Sequence, residues 1–176
     1  MTQNQEKIVT IFGSGLTPEN DDYFNEVVEI GKIIAKSGCT ICCGGYAGTM
    51  QAICQGAKAE SGKTIGITIN TSNTAPNRYI DENVAMENWV ERLMELIAIA
   101  DVYLILKGGS GTLVEISAIF EMMNKKIMKE KKMLFISPFW NTVIETLKID
   151  SDRMRDIIER NVYFINNKED IAKHLT

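Results

Sequence analysis

Lys107-Gly108-Gly109-Ser110-Gly111-Thr112-Leu113-Val114-Glu115 follows the apolar run Val102–Leu106 and leads into a long apolar segment of helical period. A strand that delivers a glycine-rich turn into a helix is the local signature of an α/β sheet. The same turn makes an anion site, because free backbone N–H groups and the positive end of the helix dipole face the loop. A phosphate cradle alone has no need of Glu115, one helical turn inside. Chemistry beside a phosphate would use it.

Outward from this turn, short apolar runs alternate with helical patterns. The expected strands are Ile8–Phe12, Thr40–Cys43, Thr64–Ile69, Val102–Leu106, Met133–Ile136 and Val162–Ile165. They are rich in Ile, Val, Leu and Phe without polar alternation, as strands buried on both faces of a parallel sheet require. Thr17-Pro18-Glu19 reads as a helix start, with Phe24, Val27, Val28, Ile30 and Ile34 at helical spacing up to Lys36 and Gly38 placed to end the helix. Further helices are expected over Gly48–Glu60, Glu82–Ala100, Thr112–Met128, Asn141–Lys148 and Asp152–Arg160, with a polar loop over Asn70–Arg78. The fold expected is a single doubly wound, mostly parallel, Rossmann-like α/β domain over residues 1–176. In sequence numbering of these six strands the order is 3-2-1-4-5-6, with ligands above the strand carboxyl ends at the switch point.

Composition narrows the function classes. A net charge of −4 and a pI near 5.1 argue against partnership with nucleic acid or an anionic membrane. Lys125, Lys126, Lys129, Lys131 and Lys132 form the one basic cluster, read as a solvated helix end that complements a helix dipole. The polar stretch Met1–Lys7 lacks the apolar core of a signal peptide, and no apolar run approaches the roughly 18 residues of a membrane span, so the chain is expected in the cytoplasm. Cys39, Cys42, Cys43 and Cys54 read as small buried hydrophobes. Zinc would need converging ligands, and the chain's only histidine is His174, so no metal site is expected.

Three strand ends carry glycine: Gly13-Ser14-Gly15, Gly44-Gly45-Tyr46-Ala47-Gly48 and Gly108–Thr112. In a parallel sheet all three open on one side, which favours a ligand whose phosphate or sugar approaches the backbone. The dinucleotide fingerprint G-x-G-x-x-G fails after the first strand, where Gly13-Ser14-Gly15-Leu16-Thr17-Pro18 ends in proline. The one Gly-Lys-Thr, Gly62-Lys63-Thr64, has Ala57 where a P-loop needs its first glycine and leads into an expected strand rather than a helix, which disfavours a Walker-type ATPase.

Two charged residues carry the chemistry, each with a plain alternative. Thr112 and Glu115 satisfy the capping-box pattern, in which each side chain binds the other's backbone N–H and no catalysis is needed. Arg92, three residues before Glu95, can be an ordinary helix surface pair. It can equally face the crevice and hold a phosphate or the polar edge of a base with its fork of donors.

The segment from Arg92 through Asp101 to Gly108-Gly109-Ser110-Gly111-Thr112-Leu113-Val114-Glu115 resembles the LOG ("lonely guy") family, long mislabelled lysine decarboxylases. That family carries an Arg, an Asp before a strand, and a Pro-Gly-Gly-x-Gly-Thr-x-x-Glu signature. Gly13-Ser14 and Gly44-Gly45-Tyr46-Ala47-Gly48-Thr49-Met50 resemble its two earlier loops, so the likeness covers roughly Ile8 to Ile136. Lys107 replaces the signature proline, Tyr46 the third glycine and Leu93 a lysine. A related branch, the molybdenum-cofactor carrier-like proteins, shares the fold and the loop.

The resemblance implies a phosphoribohydrolase, which cleaves the N-glycosidic bond of an AMP-like or cytokinin riboside 5′-monophosphate without a cofactor. It assigns catalysis to Arg92 and Glu115. Phosphate or nucleotide contacts fall to Gly13, Ser14, Gly44, Gly45, Gly108, Gly109, Ser110, Gly111 and Thr112, with Tyr46 and Thr49 as lesser candidates. The helix dipole would favour an ionised Glu115, which would stabilise an oxocarbenium-like sugar. The alternative is a non-catalytic carrier of a phosphorylated cofactor or nucleotide, to which the extra cation Lys107 is suited. A single-strand DNA loading factor of related fold is disfavoured by the acidity. The helix from Thr112 to Met128 is apolar on more than one face, and these families form dimers or larger assemblies. A homodimer is expected.

Overall fold

Strands without polar alternation must be covered on both faces, and the computed structural model, which describes residues 6–70 and 73–175, uses them in that way. Strands β1 (Ile8–Phe12), β2 (Thr40–Cys43), β3 (Thr64–Ile69), β4 (Glu82–Met86), β5 (Val102–Ile105), β6 (Lys132–Ile136) and β7 (Val162–Ile165) form one sheet in the order β4-β3-β2-β1-β5-β6-β7. Every neighbouring pair is parallel. Helices α1 (Asp22–Lys36), α2 (Thr49–Ala59) and α7 (Ile171–Leu175) cover one face. Helices α3 (Trp89–Ala98), α4 (Ser110–Asn124), α5 (Asn141–Lys148) and α6 (Asp152–Asn161) cover the other. This is a Rossmann-like α/β fold. The chain winds outward in one direction from β1 and in the other from β5, so the switch point lies between them.

Asp101 fastens that junction. Its carboxylate accepts the Ile8 N–H at 2.8 Å, and its own N–H donates to the Ile8 carbonyl at 2.8 Å. The four cysteines are buried thiols, as expected of small hydrophobes. Among the described residues no helix is long and apolar enough to cross a membrane. Lys131 donates to the carbonyls of Ile97 and Ala98 at the carboxyl end of α3, so one member of the basic cluster caps a helix across space.

The expected order of the six strands holds, but β4 adds an outer edge beyond β3. The expected helix over Glu82–Ala100 is therefore corrected. Glu82–Met86 is a strand with only Val84 and Met86 turned inward, and α3 begins after Asn88. Asn88 accepts the Glu91 N–H at 3.0 Å, while the Glu91 carboxylate reaches back to the Glu87 N–H. That capping arrangement was present in the sequence as Asn88-x-x-Glu91 and marks the true helix start. Likewise α1 starts after Asp21, whose carboxylate accepts the Tyr23 N–H; Thr17–Asn20 is a turn preceding it. Helix α4 starts at Ser110 and ends at Asn124, two residues earlier and four residues earlier than expected. Of the loop expected over Asn70–Arg78, Thr71 and Ser72 lie outside the described residues, as do Met1–Gln5 of the polar N-terminal stretch and Thr176 at the end of the chain.

Helices α1 and α2 touch backbone to backbone through Gly31 and Gly56. A β-carbon on Gly56 would overlap the Val28 carbonyl oxygen, and one on Gly31 would overlap that of Ile53. Alanine is intrinsically better than glycine in a helix by about 1 kcal/mol. Forced separation of two packed helices costs more, so Gly56→Ala should destabilise the fold by roughly 1–3 kcal/mol. Denaturant unfolding measures this directly; an unchanged or raised midpoint would show that the helices are not in backbone contact.

Candidate functional site

Because every strand is parallel, the three glycine segments open on one edge, and backbone hydrogen bonds tie them together. The Ser14 N–H donates to the Lys107 carbonyl at 3.1 Å. The Ser14 carbonyl in turn accepts the Thr49 N–H at 2.8 Å and the Thr49 hydroxyl at 3.0 Å. The Lys107 N–H donates to the Tyr23 hydroxyl at 2.9 Å, and the Trp140 indole donates to the Leu106 carbonyl at 2.9 Å. The end of β5 is thus held from both faces of the sheet.

From that anchored end the chain turns at Gly108 and Gly109 into α4. Gly109 precedes the helix and supplies no side-chain cap, so the capping box expected from Thr112 and Glu115 does not form. Thr112 sits inside the first turn with its side chain buried against Gly108, where a β-carbon would overlap the hydroxyl. Among the described residues, the N–H groups of Ser110, Gly111 and Thr112 have no intrachain acceptor, and a β-carbon on Gly109 or Gly111 would meet nothing within 4 Å. Three unpaired amides therefore stand at a helix N-terminus beside two glycines with open space around them, where an anion would satisfy them.

Arg92 comes to this edge from α3. Its Nε donates to the Ile67 carbonyl at 2.7 Å and its Nη2 to the Gly44 carbonyl at 3.1 Å. The guanidinium lies 5.5 Å from the centre of the Tyr46 ring, and the Tyr46 hydroxyl accepts the Ile69 N–H at 3.1 Å. The surface pair with Glu95 is not formed. Two of the guanidinium's five donors are engaged, and the others remain for a ligand. Gly44 is glycine for a steric reason: a β-carbon there would overlap Nη2.

Glu115 projects from α4 and is partly buried. It makes no hydrogen bond or ion pair with any described residue. Burial pushes its carboxyl up to about 8, and the Arg92 charge opposes that rise. The expectation that the helix dipole keeps Glu115 ionised is thereby corrected. Loss of hydration outweighs a dipole contribution of about 0.3–1 kcal/mol at this position.

The sequence-predicted residues thus fall into two groups. Gly108–Thr112 and Glu115 belong to the glycine turn and the start of α4, Arg92 is close enough for its charge to act on Glu115, and together they make the candidate crevice. Gly13, Ser14, Gly44 and Gly45 build its frame, their backbones engaged largely within the chain. Gly45 has φ +79°, and its carbonyl accepts the Asn77 N–H at 2.8 Å and the Asn77 side-chain amide at 3.1 Å. Asn77 and Tyr23 hold the loops and were missed, because nothing local to either residue announces a contact so distant in sequence. A cavity of about 460 Å3 lies at the opposite edge of the sheet, beside Gly62 and Thr64. Its Lys58 and Asp81 already form an ion pair at 2.7 Å, so it offers no comparable set of free groups.

Comparison with solved structures gives the same architecture. The molybdenum cofactor binding protein of the phototrophic bacterium Rippkaea orientalis aligns with a TM-score of 0.71 at 20% identity, over 97% of this chain and 95% of that one. The molybdenum cofactor carrier protein of Chlamydomonas reinhardtii aligns with a TM-score of 0.71 at 20% identity, over 97% and 98%. A Northeast Structural Genomics Consortium target, TM1055, aligns with a TM-score of 0.74 at 22% identity, over 95% and 96%. At such identities the likeness establishes a shared fold. No curated protein sequence gives a significant match. The family itself is shown by the sequence: residues 6–159, which include all three glycine loops, Arg92 and Glu115, match, and the chain belongs to the SLOG cluster4 family of the LOG-like superfamily.

Proposed function

We propose that the crevice hydrolyses the N-glycosidic bond of a nucleoside 5′-monophosphate, releasing free base and ribose 5-phosphate. The observation that supports this reading is that the Arg92 charge acts on Glu115, which stands one turn inside a helix whose first three amides are unpaired. The 5′-phosphate sits on the N–H groups of Ser110, Gly111 and Thr112. The unused donors of Arg92 hold the base or phosphate and favour negative charge on the leaving base. Glu115, ionised as the sugar becomes oxocarbenium-like, stabilises C1′ and orients the attacking water. Water adds its oxygen to C1′ as the C1′–N bond breaks, and the departing base takes up the proton.

A second reading is a carrier of a phosphorylated cofactor or nucleotide that binds on the same amides without turnover. It is favoured by the high Glu115 value, which leaves the carboxyl largely protonated near neutrality, and by the solved structures of molybdenum cofactor binding and carrier proteins on this fold. Either reading accommodates a homodimer. Trp89, Val90 and Met94 of α3 and Leu113 and Val114 of α4 expose large apolar side chains on neighbouring helices next to the crevice.

Three outcomes test these statements. Incubation with a panel of ribonucleoside 5′-monophosphates, with free base resolved by chromatography, should show release that falls by about 100-fold or more in Glu115→Gln and in Arg92→Ala. Binding without release across the panel would assign the carrier role. If the ionised carboxylate is the working form, kcat/KM climbs with pH through a midpoint near pH 8 and levels above it; a decline over that range would make Glu115 a proton donor instead.

The raised carboxyl also affects stability. The unfolded chain releases this proton near its ordinary value of 4.5, whereas the folded chain holds it to about 8, so folding loses stability as pH rises through that window. Glu115→Gln should therefore stabilise the protein by ~1–3 kcal/mol at neutral pH, with the advantage shrinking near pH 5. Thermal unfolding at the two pH values is the check, and a destabilised variant would contradict the burial argument. Light scattering should give a dimeric mass, and a monomeric one would remove the interface from α3 and α4.

A further inference from the structure

A second cleft opens on the same edge of the sheet, and Lys107, the residue before the glycine turn, is part of its lining. It measures about 250 Å3, lies at the carboxyl ends of β6 and β7, and includes Glu26, Lys107, Ser137, Asn166 and Lys168 in its lining. Among the described residues nine ion pairs are formed, and neither Lys107 nor Lys168 takes part in any of them. The Lys107 ammonium lies 4.4 Å from the centre of the Tyr23 ring, so it is steadied by a π face and keeps its hydrogens for a ligand. Lys168 comes from the opposite wall, after β7. Glu29 is close enough to feel its charge but is bonded to Lys32.

Neutral donors complete the lining. Ser137 has φ +89° and ψ 149°, a conformation that side-chain-bearing residues rarely hold. Its Oγ accepts the Phe139 N–H at 3.3 Å, which leaves the hydroxyl hydrogen to donate. The Asn166 amide makes no hydrogen bond with the described residues. Glu26 is the one acid in the lining, so two cations stand against one carboxylate.

We propose that this cleft is a second anion subsite, which extends the ligands of the crevice from nucleoside 5′-monophosphates to nucleoside 5′-diphosphates whose terminal phosphate lies between Lys107 and Lys168. The assignment rests on the reading that the Ser110–Thr112 amides take the phosphate next to the sugar. Lys107 stands directly between the two sites in the chain, as the residue that leads from β5 into the glycine turn. A phosphate chain that starts on the amides and passes this residue enters the cleft, whereas a monophosphate leaves it empty.

Calorimetric titration of the full chain with ADP and with AMP tests the subsite, using Lys107→Ala, Lys168→Ala and Glu115→Gln as variants. Lys107 uses its backbone N–H, not its ammonium, to bind Tyr23, so alanine preserves that tie. ADP should bind about tenfold more tightly than AMP, and each lysine variant should lose most of that advantage while its AMP affinity stays within about threefold of wild type. Glu115→Gln should keep the advantage, and added salt should reduce it. Equal affinity for the two nucleotides, no binding of either, or an ADP advantage that survives both lysine variants would overturn the subsite. Base release with equal affinities would sink the subsite and leave the hydrolase standing. A lysine-dependent ADP advantage without base release would do the reverse.

Discussion

The hydrogen bonds from Arg92 to the Ile67 and Gly44 carbonyls are the constraint on which the crevice depends. They join a helix on one face of the sheet to the carboxyl ends of two strands. A guanidinium held through Nε and one Nη cannot rotate freely, so its remaining donors have a fixed direction. The demand propagates outward from there. Gly44 can carry no side chain, the Tyr46 ring centre lies 5.5 Å from the charge, and its hydroxyl accepts the Ile69 N–H. A lysine at position 92 would supply the charge but not the planar fork.

Opposite this fixed cation stands a carboxyl group with nothing to bind it. Glu115 is half-buried, enough to raise its carboxyl to about 8, yet no described residue hydrogen-bonds to it. Residues that serve folding are generally satisfied, whereas those that await a ligand are left short. The free amides of Ser110–Thr112 belong to the same class. Between them the two elements leave both a donor set and an acceptor unused on adjacent turns of one helix, and a phosphorylated sugar offers partners to both.

Much of this arrangement was legible because parallel sheets announce themselves. Val102–Ile105 and Lys132–Ile136 have no polar alternation, and glycine at three strand ends could open only to one side. What escaped were features set by tertiary contact. Glu82–Met86 has mixed polarity because it is covered on one side only, and it merges in sequence with the helical period that follows. The ionisation of Glu115 followed the helix dipole on paper, but the protein's burial of that side chain decides it. Asn77 and Tyr23 hold the loops from positions 32 and 84 residues away, distances that no local pattern spans.

The parallel order of the sheet also has a kinetic side. No two neighbouring strands are joined by a hairpin, and the central pair β1 and β5 brings Val9 against Val102. Closing so long a loop is entropically costly, and chains dominated by such contacts fold slowly. A chain still emerging from the ribosome can assemble β1 to β4 with α1 and α2, but Ser14 has no Lys107 carbonyl to bind until β5 arrives. The crevice therefore cannot exist until β5 and the first turn of α4 have been made, and a chain cut short before β5 would have four of the seven strands and no amide cradle.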